Sequence, residues 1–136
     1  MSNDKKKPSL TVDGVLHDGG KVLMIKRQIQ PFLGHWVLPG GHVEYGEKVK
    51  EALRREIFEE TNIEIDFAKL VGVYSDPDRD PRGHVVSCAY MAETGKPQEV
   101  ALNKEASEYK FFEFGSLPEK IGYDHRKIIL DAKDKI

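Results

Sequence analysis

The stretch Gly41–Ile63, "GHVEYGEKVKEALRREIFEETNI", decides how this sequence is read. From Glu47 to Thr61 the apolar residues Val49, Leu53 and Ile57 recur at helical spacing and predict a helix with one apolar stripe. Asn62 tolerates the left-handed backbone of a helix C-cap and predicts the stop. Glu47 falls in the first turn, where the positive pole suits it. The last turns are less comfortable. Glu56, Glu59 and Glu60 crowd the end where free carbonyls already make the potential negative. On a wheel the three share an arc of roughly 100°, and Glu60 borders the Leu53 and Ile57 stripe. Partly desolvated carboxylates so close must take up protons or bind a hard cation. Oxygen-only donors favour Mg²⁺ or Mn²⁺, and no His/Cys cluster points to zinc. Arg55 adjoins the cluster and is placed to hold Glu47 or one of the other glutamates. On the Glu59–Glu60 pair alone, a solvated charged helix face would explain the same residues, because such faces are common.

Outward from the helix, the chain reads as strands. "LTVDGVLH" and "KVLMIKR" are strand-like and flank "HDGGK", a good hairpin turn. "QIQPFLGHWVLPGGHVEYGE", broken by Pro31, Gly34, Pro39, Gly40, Gly41 and Gly46, reads as irregular. Downstream, "FAKLVGVYS", "GHVVSCAYMAE" and "EYKFFEF" are further strands. A turn and a C-terminal helix carrying Ile128, Ile129 and Leu130 close the chain. Strands dominate and two helices are placed to cover a sheet, so the expected class is α+β, layered αβα. Regular βαβ alternation is missing, which excludes a doubly wound sheet.

A chain of 136 residues with ordinary composition is most simply one domain, expected over 9–136 behind a disordered basic tail at 1–8. A net charge of -2 gives no global pull toward nucleic acid or an anionic membrane. The lone Cys88 leaves no internal disulfide framework and fits a reducing cytoplasm. "MSNDKKKPSL" has charge but no apolar h-region, so it does not read as a signal peptide.

Taken as a frame, Gly41, Glu47, Arg55, Glu56, Ile57, Glu59, Glu60 and Ile63 resemble the Nudix box at every one of those spaced positions. Asn62 stands where that pattern has glycine, a departure of small structural cost. The resemblance implies a mixed β-sheet between helices and a metal-dependent hydrolase. Its substrate would be a nucleoside diphosphate linked to another moiety. It implies that Glu56, Glu59 and Glu60 hold the metal with the backbone carbonyl of Gly41, the bare "PGG" turn allowing close approach. Arg55 and Glu47 would support the catalytic helix. The general base in such enzymes is often a glutamate on a loop before a late strand. "LNKEASEYKFF" offers Glu105, preferred for its small neighbours and freedom to swing inward, and Glu108; Glu59 is the alternative.

"YSDPDRDPRGHVVS" is the second informative stretch, a stiff polar loop between two strands. Arg79 and Arg82 could clamp phosphates as bidentate donors, with His84 nearby, or simply balance three Asp in a surface turn. The segment resembles one in small microbial ADP-ribose pyrophosphatases, as do "GHWVLPGGHVEYGE" and "YDHRKII". The implied reaction is cleavage of ADP-ribose to AMP and ribose 5-phosphate. Phe32, Trp36 and Tyr74 are candidates for stacking on adenine. The resemblance also implies a homodimer, because such small domains often complete the nucleotide site with a neighbouring subunit. Two rivals follow from the same residues. One is hydrolysis of oxidised nucleoside triphosphates or other nucleotide derivatives. The other is an ADP-ribose sensor without catalysis, against which stands the retention of every box glutamate.

Overall fold

The computed structural model describes residues 6–95 and 98–136. Of the expected tail, residues 1–5 lie outside that range, and Lys6–Pro8 have no regular structure. In chain order the elements are β1 (Ser9–His17), β2 (Lys21–Arg27), β3 (Trp36–Val37), β4 (Gly40–His42), α1 (Val49–Thr61), β5 (Lys69–Tyr74), β6 (Val85–Glu93), β7 (Ala106–Glu113) and α2 (His125–Lys133). All seven strands join one mixed sheet. β1 and β6 run parallel in unbroken register from Ser9↔Val85 to His17↔Glu93, while the other pairings between strands are antiparallel.

What positions the site is the parting of β1 from β2. The two meet beside their hairpin at His17↔Val22, where the Asp18 carboxylate accepts the N–H groups of Gly20 and Lys21 and tightens the turn. Farther along, β3 pairs with β2 at Ile25↔Val37, and β4 pairs with β1 from Thr11↔His42 to Asp13↔Gly40. The segment Val37–Gly40 is thus a wedge between two diverging strands. The sequence reads this region as irregular. Strands of two or three residues are too short to show a period, and only their distant partners define them.

Alternation along the strands sends Val12, Leu16, Leu23, Tyr90 and Ala92 to the α1 face, against Leu53 and Ile57. Val15, Val22, Met24, Ala89 and Met91 go to the α2 face, against Ile128 and Ile129. The expected αβα layering is therefore observed. Each fully buried Leu or Ile contributes about 2 kcal/mol of apolar burial. Gly14 on β1 lets α1 lie close, since a Cβ there would stand 2.6 Å from Ile57 Cδ1. Leu130 is 44% exposed, because three consecutive helical residues cannot all face one side.

The helix α1 begins at Val49, two residues later than the sequence suggests. Lys48 is its N-cap, and the Lys48 N–H donates to the Glu51 carboxylate at 3.1 Å. Glu47 stands outside the helix, drawn away by another partner described below. The stop agrees with expectation: Asn62 has φ 66°, and its N–H donates to the Phe58 carbonyl at 2.8 Å. Among the described residues no helix is long and apolar enough to cross a membrane.

Candidate active site

A cleft of about 260 Å³ opens where β1 and β2 part. Thr11 and Asp13 of β1 face Ile25 and Arg27 of β2 across it, the wedge residues Gly40 and Gly41 border it, and Glu60 reaches in from α1. The three box glutamates are not equivalent. Glu60 is only 9% exposed and accepts the Gly40 N–H at 2.8 Å. Burial pushes its carboxyl up to about 8; the Gly40 bond opposes this, while Glu56, Glu105 and Asp13 push further. Glu56 is also raised, mainly by burial, with Arg55 pulling the other way. Its carboxylate lies directly against Gly41, where any Cβ would collide with it. This is the physical reason for a bare residue at that position. Glu59 is the outermost, its side chain 55% exposed.

Arg55 ties this helix end together. Its fork donates to Glu47 at 2.8 and 3.0 Å, to Glu56 at 2.9 Å and to Glu59 at 3.3 Å, and also to the His42 carbonyl at 3.0 Å. The bonds from Arg55 and from the Glu44 backbone hold Glu47 down to about 2. That pairing is why Glu47 leaves the helix. One arginine thus hydrogen-bonds three carboxylates and lies 4.0 Å from a fourth, exposed Glu44, while Glu60 and Glu105 add two more that it does not reach.

The donor chemistry fits a hard divalent cation: the carboxylates of buried Glu60 and half-buried Glu56, both with raised pKa, stand beside a turn of two glycines. Among the described residues, no three His, Cys, Asp or Glu side chains converge to metal-ligating distance. Arg55 ties down Glu56 and Glu59, and the Gly40 N–H ties down Glu60.

The two candidate bases separate cleanly. Glu105 lines the cleft and is close enough to raise both Glu56 and Glu60. Its loop does not hang free: Gln28 N–H donates to the Glu105 carbonyl at 3.0 Å, and Glu105 N–H donates to the Asn103 side chain at 3.0 Å. Glu108 is 58% exposed and pairs with Lys26 at 3.4 Å, away from the cleft.

On the opposite wall the arginines differ from expectation. Arg79 is not a free clamp. Its side chain is 4% exposed and its fork closes on Asp124 at 2.9 and 2.6 Å, with a third bond to the Val85 carbonyl. A bidentate carboxylate already fills the geometry a phosphate would need. Arg82 closes on Asp80 at 3.1 and 2.9 Å and touches the Tyr123 hydroxyl at 3.3 Å, but remains half exposed at the cleft. His84 faces the Ser75 carbonyl at 3.1 Å and borders an adjoining hollow shared with His42 and Arg82.

The expected stacking aromatics stand elsewhere. Trp36 packs edge-on to Phe112 in the α2-side core. Phe32, at φ 63°, packs on Tyr123 and His35. The Tyr74 hydroxyl donates to Asp131 at 2.7 Å. Tyr123 is the aromatic that lines the cleft. Sequence reasoning also missed Asp13, Ser87 and His125. The Ser87 hydroxyl donates to Asp13 at 2.5 Å, His125 Nε2 lies 3.5 Å from the other Asp13 oxygen, and the Leu38 N–H donates to His125 Nδ1 at 2.9 Å. Burial raises the Asp13 carboxyl, but His125, Ser87 and Arg79 together hold it below the usual range. A signal was there: Asp13 is a lone acid inside an apolar strand.

A family model, the NUDIX domain, matches residues 7–132. The ADP-ribose pyrophosphatase of Methanocaldococcus jannaschii is 47% identical over 124 residues, 91% of this chain and 72% of that protein. The NUDIX domain of Shewanella oneidensis NrtR, solved with ADP ribose, superposes with a TM-score of 0.86 at 28% identity, over 99% of this chain and 92% of that one. A bifunctional NMN adenylyltransferase/ADP ribose pyrophosphatase from Francisella tularensis, solved with AMP and a Mn ion, gives a TM-score of 0.80 at 28% identity; the match covers 96% of this chain but only 42% of that longer one. The spacing of the glutamates, the helix and sheet that frame them and these likenesses converge: the chain belongs to the Nudix family.

Proposed function

We propose that this Nudix hydrolase cleaves ADP-ribose to AMP and ribose 5-phosphate, using Mg²⁺ or Mn²⁺. The observation that carries the reading is the mutually repelling set of buried Glu60, half-buried Glu56 and exposed Glu105 around a glycine turn. Such a set is costly by itself and makes sense beside concentrated positive charge. Support for the substrate comes from the M. jannaschii pyrophosphatase, at 47% identity, and from the ADP ribose bound by the NrtR domain. In this reading the catalytic unit is one domain over 9–136.

The Gly41 carbonyl with Glu56, Glu59 and Glu60 would hold the cation. When bound, it neutralises diphosphate charge and makes phosphorus more open to attack. Arg55 keeps Glu56 and Glu59 aligned and Glu47 anchors Arg55 in turn. Glu105, facing the cleft without an ion pair among the described residues, takes the proton from the attacking water. Arg82 and His84 sit where the far side of the substrate passes, and Tyr123 offers the cleft an aromatic ring. Water adds to one phosphorus and the bridging oxygen leaves with the other.

The test is a substrate panel with Mg²⁺, comparing kcat/KM on ADP-ribose, nucleoside triphosphates and other nucleotide sugars. Running it in isotopically labelled water places the label in AMP or in ribose 5-phosphate and names the attacked phosphorus. A triphosphate preferred by about tenfold would overturn the substrate assignment.

A further inference from the structure

We infer that Asp13 and His125 are positioning residues for the cleft: from beneath it they fix the Leu38–Gly41 turn and so aim the Gly41 carbonyl and the Glu60 carboxylate. This rests on the reading above, that those two oxygens hold the cation.

The turn is held at each peptide in succession. The Leu38 N–H donates to His125 Nδ1 at 2.9 Å, inside the protein. Pro39 has no N–H to give, and its carbonyl accepts the Gly14 N–H at 2.9 Å. The Gly40 N–H donates to Glu60 at 2.8 Å, and Gly41 pairs with Val12 in the β4–β1 ladder. His125 is therefore the α2-side anchor of a turn whose other end grips a carboxylate on α1.

The imidazole is itself oriented. Since Nδ1 accepts from Leu38, the ring proton resides on Nε2, which faces Asp13 at 3.5 Å. Asp13 is fixed in turn by the Ser87 hydroxyl. Asp13 and His125 are 8% and 3% exposed, so little solvent reaches these bonds to replace a lost partner. A carboxylate that orients an imidazole, which then orients a ligand-bearing segment, is the same logic by which outer partners tune metal sites.

The experiment compares His125→Leu, which removes both ring bonds, with His125→Asn, which keeps an acceptor near the Nδ1 position. Mn²⁺ affinity without nucleotide is read by electron paramagnetic resonance, alongside kcat, KM and a denaturation midpoint. His125→Leu is expected to bind Mn²⁺ about 10-fold more weakly and to lose kcat by a similar factor, with KM nearly unchanged. His125→Asn is expected to recover most of both. In the wild type, imidazole ¹⁵N shifts should show a bare Nδ1 and a protonated Nε2, a readout available even if His125→Leu does not fold. Mn²⁺ affinity and kcat within about twofold of wild type in a folded His125→Leu would overturn the proposal. So would a loss confined to KM, which would mark a substrate contact, or a protonated Nδ1 in the wild type. Failure of the wild type to bind Mn²⁺ would overturn the cation reading itself, and is distinct from a wild type that binds while the variant equals it.

Discussion

On the α1 side of the cleft one arginine, Arg55, is shared by Glu47, Glu56, Glu59 and, at 4.0 Å, Glu44, with Glu60 and Glu105 beyond its reach. On the far side Arg79 and Arg82 meet Asp124 and Asp80 one to one. Both regions are built from arginines and carboxylates, and both are partly buried. Their electrostatics differ in sign and in consequence. The far wall neutralises itself, and both of its arginines are held above their ordinary pKa by their partners, in spite of burial. The α1 wall is left with uncompensated acid, and Glu56 and Glu60 respond with raised values. What distinguishes a ligand-seeking cluster from a structural one is the count of charges left over after pairing, rather than the density of charge.

The sharpest way to break this comparison is to remove one leftover charge. Glu60→Gln should lower kcat by roughly 10³-fold, about 4 kcal/mol of barrier, while circular dichroism shows an intact fold. Activity within a few-fold of wild type would take Glu60 out of the site.

The same charge should be visible in stability. In the folded, metal-free protein Glu60 keeps its proton up to about pH 8, whereas an ordinary glutamate loses it near 4.5. Between those values the folded state binds the extra proton, so stability falls as pH rises from about 4.5 to about 8. The full effect is at most about 5 kcal/mol. Glu47 acts in the opposite sense: its folded value near 2 adds stability above the unfolded value, and this is lost only as pH falls below about 4.5. The two windows do not overlap. Urea denaturation in chelator at pH 5 and pH 8 should show the decline, Mn²⁺ should restore stability at pH 8, and Glu60→Gln should flatten the slope.

How legible each wall was depends on how local its partners are. The α1 stripe, its Asn62 stop and the three glutamates lie within one short stretch, where helical period and spacing carry the information. The helix start was misplaced because Glu47 answers to Arg55, eight residues on, rather than to the helix pole. Arg79 reads as a free clamp within its own loop, because its partner Asp124 lies 45 residues away. The bond from Leu38 to His125 spans 87 residues, and no periodicity announces it. Trp36 illustrates the same limit, since an aromatic in a glycine-rich loop gives no sign of which sheet face receives it. The sheet order itself follows from strand count and alternation only in part, because the β3–β4 wedge is defined by partners and not by pattern.

On the self-neutral wall, removing one partner should hurt stability more than chemistry. Asp124→Asn keeps the shape but leaves Arg79 buried with Asp13 only at 4.0 Å, and should cost about 2–3 kcal/mol in denaturant unfolding. A variant as stable as wild type would mean that the pair is not the anchor described here.

The mildest test sets Glu108 against Glu105, three residues apart on the same segment. Glu108 is exposed and already paired with Lys26, so Glu108→Gln removes a solvent-screened interaction worth about 0–0.5 kcal/mol and should leave kcat unchanged. Glu105→Gln removes a carboxylate that faces the cleft and makes no ion pair among the described residues, and should lower kcat by about 10²-fold or more. Equal effects from the two substitutions would mean that leftover charge is not what separates a working carboxylate from an idle one. A silent Glu108 beside a costly Glu105 would extend the rule from α1 to the loop that closes the cleft.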